Sequence, residues 1–285
     1  MTGSSSTPST ASGARPTADR TEGEAYRFES FRTGLLLDDL RFSAQDPGPG
    51  DRVPRFEVEL LDGGTISDTT LGDRPVLVVF GSRTCPVTES AAPRLNELHR
   101  ELGSDVRFVL INTREAHPGD LIPQPRTAAE KRAHAEALRR HHDIAYEVGV
   151  DDIDGSLHRR FSPKPNSAYL VSPEGTVLHR AHWANDDADL RRAIRATLAG
   201  AEPRGRSRAI VRPLMRAVGH LPGIVRSGGS KIERDVWRAA PPLAMLARVS
   251  MMMRAVPLDR RGPIAALALV AALAVGAAAI IVAIT

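Results

Sequence analysis

The chain has 285 residues, of which 42% are apolar and one is cysteine, and its formal net charge at pH 7 is +4. A single cysteine excludes an intramolecular disulfide framework and a zinc site built from several cysteines. The charge is uneven, because residues 204–261 contain 13 Lys and Arg against three acidic residues, which gives this stretch +10 and leaves −6 for the remainder.

The first part of the chain predicts little regular structure. Residues 1–24 are rich in Ser, Thr, Gly and charged residues and contain no apolar run of the kind found in a secretory signal, so we expect a disordered leader. Residues 25–49 contain the apolar run Leu35–Leu37 and end in a Pro-Gly-rich stretch. This pattern indicates a short docking segment before a compact domain over residues 50–200.

Strands and helices alternate through that domain. Short apolar runs predict strands, and the capping box Thr127–Glu130 predicts the start of a helix that ends near His141. The predicted elements in chain order are a hairpin over 56–66, a strand over 76–80, a helix over 86–103, a strand over 106–112, the capped helix, strands over 144–150, 168–171 and 176–179, and a helix over 186–198. This alternation predicts a mixed sheet covered on both faces, an α/β/α sandwich.

The end of the chain predicts a membrane anchor. Residues 262–285 contain no charged side chain and are long enough to cross a hydrocarbon core about 30 Å thick. Arginines precede this run, so the positive-inside rule predicts a single-pass protein of the cell membrane with its catalytic domain in the cytoplasm. Residues 201–261 combine basic and apolar side chains and are expected to form a basic amphipathic juxtamembrane region on anionic lipid, with a solvated linker as the alternative.

Cys85 is the strongest candidate for chemistry. It follows the apolar strand over 76–80 and precedes Pro86, which suits the first position of a helix. Unpaired N–H groups at a helix start favour a thiolate over a thiol, and the hydroxyls of Ser82 and Thr84 are close enough in sequence to hydrogen-bond the sulfur. The alternative is a buried and inert cysteine.

His117 is the second candidate, because it comes directly after the strand over 106–112. A histidine beside a carboxylate, here Glu115, titrates near neutral pH and can reach a thiol on the neighbouring strand. A loop histidine with no catalytic role is the alternative.

The other histidines predict no metal site. Those expected on polar helix surfaces are His99, His134, His141 and His142. Those whose spacing matches no metal motif are His158, His179 and His182.

Two motifs resemble the iodothyronine deiodinase family. Phe80–Pro86 resembles the family's Phe-Gly-Ser-x-Thr, which continues with selenocysteine or cysteine and then proline, and Arg114–His117 resembles its Glu-Glu-Ala-His. The resemblance covers roughly residues 50–198 and is to a bacterial-type protein with cysteine at the nucleophile position. It implies a thioredoxin-like fold related to peroxiredoxins, and reductive removal of halogen from an aromatic ring with a thiol as electron donor.

The resemblance also implies roles for individual residues. Cys85 is the nucleophile and His117 the proton donor. The residues in supporting roles are Ser82, Thr84 and Glu115, and those expected to contact substrate or support the site are Arg83, Pro86 and Pro165. Pro165 lies in a segment that resembles the thioredoxin-fold loop whose cis-proline faces the active cysteine.

The electron donor is expected to be external. Thr88 occupies the position at which a dithiol enzyme has its second cysteine. Without an internal resolving cysteine, oxidised Cys85 must be reduced by an external thiol reductant or a thioredoxin-type donor. We expect a small-molecule substrate, no bound cofactor, no nucleic acid, and contact with membrane lipid through the C-terminal helix; a homodimer is left open.

Three functions are consistent with these observations. The first is a membrane-anchored, deiodinase-like thiol oxidoreductase that uses Cys85 for reductive, dehalogenating chemistry. The second is a one-cysteine, peroxiredoxin-like thiol peroxidase in which Arg83 and Thr84 help to bind a peroxide. The third is a redox-sensing or scaffold module with a thioredoxin-like fold and no turnover.

Overall fold

The computed structural model describes residues 17–201, 205–207 and 209–284. Most of the predicted leader over residues 1–24 lies outside the described residues. The helices are α1 (Thr17–Tyr26), α2 (Thr33–Asp39), α3 (Pro86–Leu102), α4 (Ala128–His142), α5 (Ser156–Phe161), α6 (Asp187–Leu198), α7 (Val211–Gly228), α8 (Ser230–Ala239), α9 (Pro241–Met251) and α10 (Leu258–Ile284). The strands are β1 (Glu57–Leu60), β2 (Thr65–Ser67), β3 (Val76–Gly81), β4 (Arg107–Asn112), β5 (Glu147–Val150), β6 (Ala168–Val171), β7 (Val177–Ala181) and β8 (Gly205–Ser207).

Strand β3 lies inside the sheet, and all six of its residues are buried. In the part of the chain that the structure describes, the sheet has eight strands in the order β2-β1-β5-β4-β3-β6-β7-β8. Strands β3, β4 and β5 are parallel, whereas β6 pairs antiparallel with β3 and β7, and β1 pairs antiparallel with β2 and β5. The predicted mixed α/β sheet is confirmed, and Cys85 follows the end of one of its inner strands.

Both faces of β3 are covered, which explains why its sequence is apolar throughout. Successive side chains of a strand point to opposite faces. Leu77 and Val79 pack on one face in a cluster that includes Leu98 of α3. Phe80 packs on the other face with Phe161 of α5.

Local sequence signals set the start of two helices. Pro86 is the first residue of α3, and Cys85 is its N-cap. The predicted capping box opens α4: the Thr127 hydroxyl accepts a hydrogen bond from the N–H of Glu130 (3.1 Å), and the Glu130 carboxylate accepts one from the N–H of Thr127 (3.3 Å). These bonds satisfy N–H groups that have no partner within the first turn, so a short motif was sufficient to predict the helix start.

The described residues after 208 are largely helical and have an apolar cluster of their own. Ile224 of α7, Ile232 of α8 and Ala247 of α9 are buried in it together with Phe31, which precedes α2. Helix α7 also packs against α3. Many apolar side chains of residues 201–261 therefore pack against one another and against the domain. The predicted segment boundaries stay predictions.

The predicted transmembrane anchor is wrong. Among the residues that the structure describes, there is no helix of sufficient length and apolarity to cross a membrane. Helix α10 begins before residue 262 and includes Asp259, which pairs with Arg94 and His220, and its Ala265 is fully buried in the apolar cluster formed with α7 and α9. The side chains of residues 276, 277 and 279–284, and Thr285 itself, lie outside the described part. The predicted location as a single-pass protein of the cell membrane is corrected with the anchor.

Candidate active site

Cys85 is a free and buried thiol at the start of α3. Its side chain is 1% exposed, and its sulfur accepts a hydrogen bond from the N–H of Thr88 (3.5 Å). Burial raises the pKa of the thiol from 9.0 to about 11, although the Thr88 N–H lowers it, and the negative charge of Asp39 raises it further. The sequence predicted a stabilised thiolate, but loss of hydration outweighs the helix start here. Cys85 is therefore protonated at neutral pH in this conformation.

Glu115 connects the cysteine loop to the histidine loop. One of its oxygens accepts hydrogen bonds from the N–H (2.8 Å) and the hydroxyl (2.7 Å) of Thr84. The Thr84 hydroxyl in turn accepts a bond from the N–H of His117 (3.1 Å), and the Ser82 hydroxyl accepts one from the N–H of Ala116 (3.2 Å). Ser82, Thr84 and Glu115, which were predicted to have supporting roles, thus link the backbone segments that contain Cys85 and His117.

The second oxygen of Glu115 has a partner that the sequence did not indicate. His134 of α4 places its Nδ1 2.8 Å from that oxygen. His134 was predicted to lie on a solvated helix surface. Because α4 is separated from Glu115 by an irregular loop, no local spacing could have shown this contact.

The side chain of His117 is half-buried beside an aromatic ring. Its ring packs at a tilt against Phe31, with 4.3 Å between ring centroids, and its Nδ1 is buried without a hydrogen-bond partner. Burial lowers the pKa of His117 from 6.5 to about 4, opposed in part by the charge of Asp235. The imidazole is therefore neutral at physiological pH.

Cys85 and His117 line the same cavity, whose volume is about 60 Å³. The predicted supporting residues Pro86 and Pro165 line it too, and the peptide bond before Pro165 is trans. Leu221 of α7 belongs to a wall formed by α7, α8 and the residues that follow α8. This volume holds a few water molecules and is well below the roughly 300 Å³ of small-molecule pockets. We therefore expect an aromatic substrate to displace this wall.

Two residues that line the cavity each have a buried polar atom without a hydrogen-bond partner among the described residues. These atoms are Nδ1 of His117 and Nε1 of Trp183. A buried polar group without a partner costs about 1–3 kcal/mol, so a rearrangement that gives these atoms a partner recovers that free energy. The remaining wall is mostly apolar, which suits an aromatic body carrying a polar group.

Asp39 is an acidic cavity residue that the sequence did not indicate. It is the last residue of α2, and its backbone oxygen lies 2.6 Å from Nε2 of His182. Burial raises the pKa of its carboxyl group from 3.8 to about 7; Arg114 and Lys164 lower it. No ion pair to its carboxylate is found among the described residues. Asp39 was part of the predicted docking segment, where the sequence offered only an apolar pattern.

Arg83 is not brought into the cavity. Its guanidinium lies 3.8 Å from the carboxylate of Glu89 in α3, and its side chain is 12% exposed. Thr88, at the position of an absent second cysteine, hydrogen-bonds Nδ2 of Asn166 (3.2 Å) through its hydroxyl. The loop before β6 is thereby attached to the start of α3.

A mixed sheet in which a cysteine caps the helix after an inner strand defines a thioredoxin-like domain. The family model described as iodothyronine deiodinase matches residues 14–143, somewhat less than half of the chain. The predicted relationship to this family is confirmed, and the match begins further towards the N-terminus than the motifs indicated, so that it includes α2 and Asp39.

The chain is also similar to known proteins and to solved structures. Thyroxine 5-deiodinase of Homo sapiens is 32% identical over 118 residues, which are 37% of this chain and 38% of the relative. The Ovis aries protein of the same name is 28% identical over 159 residues, 52% of each chain. This chain thus spans about half the length of these relatives or less. A secreted disulfide oxidoreductase of Mycobacterium tuberculosis matches with a TM-score of 0.40 and 18% identity, covering 50% of this chain and 95% of its own. The relationship to the deiodinases supports the prediction of an oxidoreductase enzyme.

Proposed function

We propose that this protein is a thiol-dependent oxidoreductase that removes halogen from a small aromatic substrate. The observation that carries the proposal is the single cavity lined by Cys85, His117 and Asp39. It combines a nucleophile, a group that holds a proton near neutral pH, and a mostly apolar wall. The relationship to the iodothyronine deiodinases supports halogen as the atom that is removed. The electron donor is an external thiol.

The reaction balances with two equivalents of thiol. The Cys85 thiolate attacks the halogen, a sulfur–halogen bond forms, and the electron pair of the carbon–halogen bond passes to carbon, which takes up a proton. A first external thiol then attacks the Cys85 sulfur, forming a mixed disulfide and releasing halide. A second thiol attacks that disulfide, restores the Cys85 thiol and leaves as an oxidised disulfide. The halogenated ring is reduced, and two thiols are oxidised.

Asp39 is the group that carries the proton in this proposal. With pKa values of about 11 for Cys85 and about 7 for Asp39, moving the thiol proton to the carboxylate costs about 5 kcal/mol. That cost is well below the roughly 16 kcal/mol barrier of an enzyme that turns over about ten times per second. The carboxylic acid so formed donates the proton to carbon, and the carboxylate is restored.

His117, predicted to be the proton donor, has a different part in this scheme. A histidine with a pKa of about 4 carries no proton to spare at pH 7. Its neutral ring lines the cavity and is available to contact a substrate. It orients the ring while Asp39 moves the proton.

The peroxidase alternative is less favoured by the contacts. A peroxide site needs hydrogen-bond donors beside the thiol. The Thr84 hydroxyl already donates to Glu115, and Arg83 lies beside Glu89 rather than in the cavity wall.

The test is halide release by the full chain. Purified protein is incubated with dithiothreitol and an iodinated phenol, and iodide is measured alongside a parallel assay with hydrogen peroxide. We expect iodide release that is abolished by Cys85→Ser and retained by His99→Gln, a matched change on the same helix away from the cavity. Peroxide consumption without iodide release would replace this proposal with the peroxidase, and iodide release that survives Cys85→Ser would refute it.

A further inference from the structure

We propose that Glu89, His141 and His142 form a binding site for one divalent transition-metal ion, with Zn²⁺ as the best match. The site joins the first turn of α3 to the last turn of α4, and it lies outside the cavity that contains Cys85. The sequence predicted no metal here, because the carboxylate and the two histidines are more than fifty residues apart.

The spacing of the ligand atoms fits a small tetrahedral ion. Nε2 of His141 lies 3.1 Å from each carboxylate oxygen of Glu89, and Nε2 of His142 lies 3.6 Å from one of them. All three ligand atoms lie within 4.8 Å of one another. Donor atoms bound about 2.1 Å from a tetrahedral ion are about 3.4 Å apart, so the carboxylate–histidine distances need little adjustment.

His142 supplies an independent observation. Its side chain is only 5% exposed, and its Nε2 is buried without a hydrogen-bond partner although it faces the Glu89 carboxylate. A separation of 3.6 Å is too long for a hydrogen bond. A neutral imidazole is the form that binds metals. A cation between the two side chains satisfies this nitrogen.

The surroundings hold the ligands in place. Nδ2 of Asn96 in α3 donates to the backbone oxygens of His142 (2.9 Å) and Asp143 (3.2 Å), which attaches the end of α4 to α3. A helix C-terminus carries partial negative charge and favours a cation. Arg83 is the competing positive group, but at 3.8 Å from Glu89 its nearest nitrogen makes no hydrogen bond.

Nitrogen and oxygen ligands in this set match Zn²⁺ or Co²⁺ better than Mg²⁺ or Ca²⁺. Three protein ligands leave the fourth tetrahedral position open, and the 36% exposure of His141 places that position towards solvent. A bound ion would stabilise the start of α3, where Cys85 is the N-cap, because Glu89 lies one turn beyond Cys85.

The experiment is metal binding by the tag-free full chain. Isothermal titration calorimetry with Zn²⁺ and the visible absorption of bound Co²⁺ are measured after treatment with a chelator. We expect one ion per chain, with the dissociation constant raised at least about tenfold by Glu89→Gln and by His141→Ala. Two controls should bind like the wild type: Cys85→Ser removes the thiol as a ligand, and His99→Gln removes a histidine outside the cluster.

Two results would overturn the site. One is no binding at micromolar Zn²⁺ or Co²⁺, and the other is unchanged binding in both Glu89→Gln and His141→Ala. Circular dichroism of each variant shows that it is folded; His141 is the safer change because it is exposed. The outcome is independent of halide release, so this proposal and the proposed function can fail separately.

Discussion

The carboxyl group of Asp39 and the thiol of Cys85 line one cavity, and the charge of Asp39 helps to raise the pKa of that thiol. Asp39 is the last residue of α2, and Cys85 precedes the first residue of α3. Burial makes both groups hold their protons more tightly than in water. Because the charge of Asp39 raises the pKa of the thiol, a change at Asp39 should be measurable at Cys85.

Asp39→Asn should lower the pKa of the Cys85 thiol. The substitution removes a negative charge that disfavours the thiolate and keeps the size of the side chain. The pH dependence of alkylation by iodoacetamide should therefore shift to lower pH than in the wild type. Asp38→Asn, a change at the neighbouring position of α2, is the matched control and should leave the profile in place. An identical profile for Asp39→Asn and the wild type would show that the two groups do not interact.

Asp39 should also make stability depend on pH. Its folded pKa of about 7 exceeds its ordinary value of 3.8, so the native state binds the proton more tightly than the unfolded chain. This contribution is fully present below pH 3.8 and is lost as the pH rises through 7, by at most about 4 kcal/mol. His117 acts in the opposite direction, since its lowered pKa makes stability fall as the pH drops from 6.5 to 4.

The difference in the free energy of unfolding between Asp39→Asn and the wild type isolates the contribution of Asp39 from that of His117. In urea unfolding, the variant should gain stability relative to the wild type as the pH is raised from 4 to 8. A constant difference across that range would mean that the Asp39 carboxyl group is hydrated in the native state.

Thr84→Val should destabilise the domain by about 1.5–3 kcal/mol. The change keeps the shape of the side chain but removes the hydroxyl that donates to the buried Glu115 carboxylate and accepts from the N–H of His117. Hydrogen bonds to a charged group contribute about that much. Thr84→Ser retains the hydroxyl and is the control. The free energy of unfolding from urea titration distinguishes them, and equal losses in the two variants would show that the methyl group, not the hydroxyl, matters.

The parts of this structure that the sequence predicted are those set by local rules. A buried strand with no polar residue, a proline at the first helical position and the Thr127–Glu130 capping box each need only a few neighbouring residues. They fixed β3, the position of Cys85 and the start of α4. The pKa of Cys85 was harder, because it depends on how completely the sulfur is buried, and burial outweighed the helix start.

The residues that the sequence missed are brought together by tertiary packing. Asp39 reaches the cavity only because α2 is docked against the sheet domain and α8. His134 contacts Glu115, from which it is separated in sequence by an irregular loop. His141 of α4 contacts Glu89 of α3. The sequence separation of these residues follows no motif that would have predicted the contacts. The helical region after residue 208 was interpreted as a lipid-facing region because its apolar and basic pattern is the same whether the apolar face meets lipid or protein.

The wall that α7 contributes to the cavity should control access to Cys85. Leu221 of α7 lines the cavity and is 7% exposed, so Leu221→Ala enlarges the space beside the thiol. We expect this variant to react severalfold faster with a neutral aromatic thiol reagent under native conditions, and to lose about 2–4 kcal/mol of stability. Leu246→Ala is the matched control, because Leu246 is equally buried in the same helical cluster but does not line the cavity. If both variants react at the same increased rate, access to Cys85 depends on general loosening of the helices; if only Leu221→Ala reacts faster, the wall formed by α7 is the barrier that a substrate must displace.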